Sequence, residues 1–173
     1  ERHLLTSIYL KPEDEEITNL RLLDRWMRIQ EEEVRFKEYY LDDAEFVVIG
    51  FGTAGRVALS AVRAAREQGI KVGLFRPISL SPFPDKQIKE LANQASQFLV
   101  VEMNAGQMLD DVKLAVEGAI PVEFYGRLGG VVPFPDEILE EIKLLADHPR
   151  QSMNGHSRKR WLERLETMRG VRA

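Results

Sequence analysis

Short apolar runs recur through the middle of the chain, and between them the apolar positions fall at helical spacing. Residues 46–49 (FVVI) form the first clear run, rich in β-branched side chains, as expected of a strand buried on both faces. Val57, Ala58, Ala61, Val62 and Ala65 then give a helix a core face of small residues, and Gly69 ends it. The same alternation continues through strands at 71–75 (KVGLF), 98–101 (FLVV) and 122–125 (VEFY). The intervening helices are predicted over 86–94, with Ile88, Leu91 and Ala92 inward, and over 106–118, with Met108, Leu109, Val112, Ala115 and Val116 on one side. A last helix of the repeat spans 137–146, carrying Ile138, Leu139, Ile142 and Leu145, and Pro149 stops it. Strands separated by helices of this length require crossover connections, so the sheet is mainly parallel and covered on both faces. The predicted fold is α/β: a three-layer α/β/α sandwich with four or five strands, most of them parallel, and flanking helices.

The flanks read differently. Residues 1–12 form an extended lead-in closed by Pro12. Glu13, Asp14, Glu15 and Glu16 then crowd acidic charge where a helix N-terminus favours it. Ile17, Leu20, Leu23, Met27 and Val34, with Trp26 beside them, mark one face of a long helix. Residues 34–40 fit either the end of that helix or a short, antiparallel edge strand. At the other end, Ser157 can cap a helix with an apolar stripe of Trp161, Leu162, Leu165 and Met168. Arg158, Lys159, Arg160, Arg164, Arg169 and Arg172 make that helix basic. It reads equally as an arm docked on another subunit or as a solvated helix packed on its own domain. The expected organisation is therefore a connector at 1–42, an α/β domain at 43–149 and a basic helical arm at 150–173.

Composition narrows the chemistry. Among 173 residues there is no cysteine, and the formal net charge is −4. Disulfides, thiolate-held iron–sulfur clusters and cysteine zinc sites within this chain are excluded. His3, His148 and His156 are too scattered toward the ends to suggest a metal site. The acidic balance and the lack of an interleaved binding motif in the basic tail argue against nucleic acid. No apolar run approaches the length of a membrane span, and no signal-peptide pattern opens the chain. It opens at Glu1, as a piece of a longer polypeptide would.

The glycine-rich bend after the first strand, GFGTAG at 50–55, has the spacing of a dinucleotide fingerprint. Its glycines follow a strand and open a helix. The acidic residue needed about 20 positions on, to hold the ribose hydroxyls, is missing. The second strand ends instead in Leu74, Phe75, Arg76 and Pro77. Arg76 could face a 2′-phosphate, but Pro77 follows at once. Gly50, Gly52 and Gly55 are therefore read first as a tight turn with close packing. A nucleotide- or coenzyme A-binding Rossmann-like module is the alternative.

More specific are two later stretches, VVEMNAGQM at 100–108 and YGRLGG at 125–130, followed by PFPDEI at 133–138. Glu102, Asn104 and Gln107 stand at the carboxyl end of a central strand, where open α/β sheets place functional groups. Arg127 stands at the same edge. The leading reading groups Glu102, Asn104 and Gln107 into a polar cluster at an interdomain or intersubunit surface. A plain cap on the next helix, which Asn104 could supply alone, is the simpler one. Arg127 is expected to pair with Glu102 across the sheet end. Glu102 has no histidine beside it in sequence, so no catalytic residue is assigned.

With these motifs in view, and with GIKVGLFRPISLSPFP at 69–84, the chain resembles the alpha subunit of 2-oxoacid:ferredoxin oxidoreductases. The resemblance runs from Glu45 to about Ala146, in the part that is transketolase C-terminal-like. It implies oxidative decarboxylation of a 2-oxoacid to an acyl-CoA by the whole complex, with reduction of ferredoxin. It further implies that thiamine diphosphate, magnesium and iron–sulfur clusters sit on partner domains or subunits, namely a thiamine-diphosphate-binding beta chain and an iron–sulfur chain. This chain would bind none of them, would serve assembly, and would be cytoplasmic.

Overall fold

A computed structural model describes residues 8–148 and 156–169. The lead-in over 1–7, His3, Pro149, Arg172 and the side chains of Met168 and Arg169 lie outside what it describes. The chain runs as α1 (Pro12–Glu32), β1 (Phe36–Tyr39), β2 (Phe46–Gly50), α2 (Gly52–Glu67), β3 (Val72–Pro77) and α3 (Asp85–Ala92). It continues as β4 (Phe98–Glu102), α4 (Gln107–Val116), β5 (Val122–Gly126), α5 (Pro135–Asp147) and α6 (Ser157–Arg169). The five strands form one sheet in the order β1-β3-β2-β4-β5. All pairings are parallel except that of β1 with β3. The segment 34–40 lies beyond the end of α1 and holds a true edge strand. Phe36 stacks on Phe75 of β3 at 5.1 Å between ring centroids, which fixes that edge.

Strands β2, β4 and β5 are buried along their whole length, as are the first four residues of β3, because helices cover both faces. Helix α2 packs with α5, and α3 with α4. The connection from β2 leads to β3 on one side of it, and the chain then returns to β4 on the other side. Since crossovers share one hand, that reversal sends α2 and α4 to opposite faces. It also makes the carboxyl ends of β2 and β4 the switch point of the sheet, the usual place for a ligand in such folds.

Helix α6 packs on its own domain, along the free edge of β5. Trp161 is buried against Phe124 in an edge-to-face contact. Its indole N–H donates to the carbonyl of Gly126, the Ser157 hydroxyl donates to that of Val122, and Arg164 donates to that of Phe124. Carbonyls of alternate residues on this strand point away from β4, and side chains of α6 satisfy all three. Two further pairs, Arg160 with Glu123 and Arg164 with Glu141, join α6 to β5 and α5 over carboxylates that are nearly fully buried. An open edge that would template another strand is thus closed from within. Of the predicted stripe, Leu165 is partly buried against the core, but Leu162 faces water.

Candidate functional site

At the switch point the glycine bend is packed tightly against itself. Helix α2 begins at Gly52, so the second and third glycines lie inside its first turn. Gly52 has φ +54°, a left-handed conformation that suits glycine. A Cβ on Gly55 would run into the carbonyl group of Gly50 and would lie 3.1 Å from Cγ of Arg76. One on Gly50 would lie 3.2 Å from the Cα of Gly55 and 3.4 Å from the carbonyl oxygen of Val101. The glycines are needed because strand and helix backbones touch.

On the other side of the crevice, the turn from β4 into α4 is capped from within. The Glu102 carboxylate is fully buried. It accepts from the backbone N–H groups of Met108 at 3.0 Å and Leu109 at 2.9 Å. Asn104 Oδ1 accepts from Gly106 at 2.7 Å and Gln107 at 3.1 Å. Four successive amides at the start of α4 are thereby satisfied by two side chains, with the charge of Glu102 placed at the positive end of the helix. Arg158, from the first turn of α6, donates to the carbonyl groups of Ala105 and Gly106 and to Asp110. Its guanidinium holds the Asp110 carboxyl below the usual carboxylate range.

Arg127 does not pair with Glu102 as the sequence suggests. Its guanidinium meets Glu137 at 2.5 Å, while only its backbone N–H reaches the carbonyl of Glu102, at 3.2 Å. Glu137 is free to take it because its other oxygen accepts from the N–H of Phe134 at the start of α5. Glu102 is already committed to two amides. Beside the pair lies the Tyr125 hydroxyl, pushed up to about 12 by burial. Of the four candidate residues, Glu102 and Asn104 act together. Gln107 contributes its backbone while its side chain is exposed, and Arg127 belongs to a second cluster with Glu137 and Tyr125. From the sequence Arg158 reads only as one of the basic residues of the tail helix, and Glu137 only as part of the PFPDEI stretch. The three-residue spacing from Phe134 to Glu137, straddling Pro135, was the available signal for the latter.

Above these turns the carboxyl edge of the sheet is apolar. The loop from β5 to α5 exposes Leu128, Val131, Val132 and Phe134, and the loop after β3 exposes Ile78 and Leu80. The first loop is held at both ends by the Arg127–Glu137 pair and folded by a turn from Val131 to Leu128. Its apolar side chains stand on a backbone tied at both ends.

The groups that the family resemblance brings with it fit this site poorly. A diphosphate at α4 would meet the Glu102 carboxylate, whereas the start of α2 at the bend carries no side-chain cap. No group of three or more His, Asp or Glu residues among the described residues could hold a metal ion, and cysteine is absent from the chain. Among the described residues no helix is long and apolar enough to cross a membrane.

Comparison with known proteins agrees with this architecture. The family model described as pyruvate:ferredoxin oxidoreductase core domain II matches residues 44–141. The ketoisovalerate oxidoreductase subunit VorB of Methanothermobacter thermautotrophicus is 45% identical over 145 residues, 84% of this chain and 41% of that protein. The 2-oxoglutarate synthase subunit KorA of Methanothermobacter marburgensis is 36% identical over 131 residues, 76% of this chain and 35% of that protein. The chain thus spans about two fifths of the length of such curated relatives. Among solved structures, the 2-oxoglutarate:ferredoxin oxidoreductase of Magnetococcus marinus, with 2-oxoglutarate, coenzyme A and succinyl-CoA bound, superposes with a TM-score of 0.69 at 18% identity. The match covers 84% of this chain and 27% of that one. A split-gene transketolase gives 0.56 at 16% identity, over 67% of this chain and 42% of its own, so these two likenesses concern the fold. The chain belongs to the 2-oxoacid:ferredoxin oxidoreductase family, as its core domain II, and has the transketolase C-terminal-like fold.

Proposed function

We propose that this chain is the assembly domain of the alpha subunit of a thiamine-diphosphate-dependent 2-oxoacid:ferredoxin oxidoreductase, a cytoplasmic complex that converts a 2-oxoacid to its acyl-CoA. The observation that carries this reading is the filling of the switch-point crevice by Glu102. The start of α4, which faces the switch point, holds the chain's own carboxylate where an anion could otherwise sit. The surface that remains at this edge is apolar and borne by a loop tied at both ends, which suits a protein partner better than a polar small molecule. Gln107, exposed beside the capped turn, would lie on that surface, and Arg127 would support it from beneath. Thiamine diphosphate with magnesium and the iron–sulfur clusters then reside on other domains or on the beta and iron–sulfur chains, with ferredoxin as electron acceptor.

The test is a pair of charge insertions, Leu128→Glu with Phe134→Glu, in the alpha subunit expressed with its partner chains. The expected result is loss of the copurifying thiamine-diphosphate-binding chain and of 2-oxoacid oxidation, with unchanged thermal unfolding of the isolated domain. An intact, active complex would refute the assembly role of this edge. Calorimetric titration of the isolated chain with coenzyme A and NAD should show no micromolar binding; a micromolar constant for either would restore the ligand-binding alternative.

A further inference from the structure

Helix α1 is 21 residues long and none of its side chains is buried. Its apolar stripe stands in water: Ile17 is 66% exposed, Leu20 60%, Leu23 53% and Met27 49%. Trp26 flanks it. An isolated helix has little stability of its own, and a stripe of this kind is normally the face by which a helix is held. Among the described residues, nothing of the domain it precedes covers the stripe.

The charges along α1 decide what can. Glu13, Asp14, Glu15 and Glu16 lie at its start, and Glu31, Glu32 and Glu33 at its end. Between them Arg21, Arg25 and Arg28 form a row at spacings of four and three beside the stripe. Arg28 holds Asp24 at 3.1 Å, whereas Arg21 and Arg25 make no ion pair among the described residues. A second copy of α1 fits badly in either direction. Laid parallel, each acidic end meets itself; laid antiparallel, the two acidic ends meet each other. A lipid surface fits no better. Residues 12–32 hold seven acidic side chains (13, 14, 15, 16, 24, 31, 32) and three basic ones (21, 25, 28), a net charge of −4, opposite to the cationic polar face of membrane-surface helices. The larger part of each curated relative lies outside the matched region, so relatives carry further polypeptide that could bear the complement.

We propose that α1 docks by Ile17, Leu20, Leu23 and Met27 into an apolar groove on another domain of the alpha polypeptide. This rests on the reading that the chain is one domain of a longer alpha subunit. From Ile17 to Met27 the groove is about 15 Å long, at a rise of 1.5 Å per residue. Carboxylates on its wall face Arg21 and Arg25, and cationic side chains at its two ends face the acidic clusters. The helix is thus a plug that joins two domains, and its three-part charge pattern sets both its register and its direction.

Hydrogen exchange of the peptide covering residues 12–33 tests this in the complete alpha subunit and in this chain alone. The expected result is at least 100-fold slower exchange in the complete subunit. Leu20→Glu with Met27→Glu should abolish that protection. Arg21→Glu with Arg25→Glu should reduce it at least tenfold. In this chain alone, neither pair of substitutions should move the thermal midpoint, because α1 buries nothing on the domain. Equal exchange in the two proteins would overturn the proposal, and so would a lowered midpoint in the chain alone, which would seat α1 on its own domain. Sedimentation of the chain alone as a dimer that Leu20→Glu with Met27→Glu dissolves would assign the stripe to a second copy. Retention on phosphatidylglycerol vesicles would assign it to lipid. Protection that survives the arginine reversals would remove the acidic wall. Turnover of a 2-oxoacid by the assembled complex is measured alongside: a protected α1 in an inactive, thiamine-free assembly would fault the functional reading and not the docking.

Discussion

The seat of α6 depends on a charge pair whose removal has a calculable cost. Arg164 grips Glu141 with two nitrogens, at 3.0 and 2.9 Å, and also donates to the carbonyl of Phe124 at 3.2 Å. The Glu141 side chain is 6% exposed and that of Arg164 23%. Arg164→Met keeps most of the stem and removes the charge, leaving a buried carboxylate alone beside Glu123. Breaking a fully buried pair costs about 3–5 kcal/mol. Because Arg164 is partly wet, we take about 2–4 kcal/mol, which for a domain of this size lowers Tm by roughly 4–16 °C. The loss also carries a pH signature. Burial already holds the Glu141 carboxyl above its ordinary value of 4.5, Arg164 opposes that rise and Glu123 adds to it. Without Arg164 the rise grows. A carboxyl whose folded value exceeds its unfolded value binds more protons in the folded state, so stability falls as pH climbs through that window. The deficit of Arg164→Met against the parent should therefore be smallest near pH 5 and larger at pH 8, read by calorimetry at both. Adding Glu141→Gln to Arg164→Met should recover part of the loss, since the stranded charge is gone. A deficit independent of pH, together with additive losses in the double variant, would refute the assignment of the cost to a buried, unpaired Glu141.

The glycines of the bend should differ sharply from one another. Gly55→Ala drives a methyl into the Gly50 carbonyl, where no flexible atom can yield, and should cost about 3 kcal/mol or more in urea unfolding, whereas Gly52→Ala meets open space and pays only for its positive φ, about 1–2 kcal/mol. Glu102→Gln should cost about 2 kcal/mol by the same measurement, because an amide can accept from only one of the Met108 and Leu109 N–H groups and turns a donor toward the other. Asn104→Ala should cost about 1 kcal/mol, the usual loss of a capping oxygen, and should leave ligand titrations of the chain unchanged.

The central strands were legible because burial on both faces writes an uninterrupted apolar run, as in 46–49 and 98–101. The helices between them were legible because a single buried face imposes its period on Val57, Ala61 and Ala65. Edge strand β1 was legible only as one of two readings of 34–40, since its four residues FKEY are half-buried at the ends and exposed in the middle and carry no strong run. The seat of α6 was not legible. Its partners are carbonyls and carboxylates 23 to 53 positions away, and an arginine that will meet Glu141 looks, in sequence, like one that will meet another subunit. The Glu102–Arg127 expectation failed for a related reason. Proximity at one sheet edge does not rank acceptors, and both oxygens of Glu102 were already claimed by the first turn of α4, which left Glu137 as the carboxylate with an oxygen to spare.

The same residues explain how one sheet topology can serve either a cofactor or a neighbouring protein. A phosphate-binding switch point needs free amides at a helix start and room above the glycines. Here the order of strands supplies the crevice, but Glu102 and Asn104 take the amides of α4, while the close contact of Gly55 with the Gly50 carbonyl packs the first turn of α2 onto β2. Closing the crevice in this way has a structural return. The β4–α4 turn becomes rigid, Arg158 anchors α6 to it, and the backbone of Arg127 ties the β5–α5 loop to Glu102. The exposed apolar side chains of that loop are consequently held in place by the groups that exclude an anion. Opening the α4 side of the crevice to a ligand would therefore also release the turn to which α6 and the β5–α5 loop are tied.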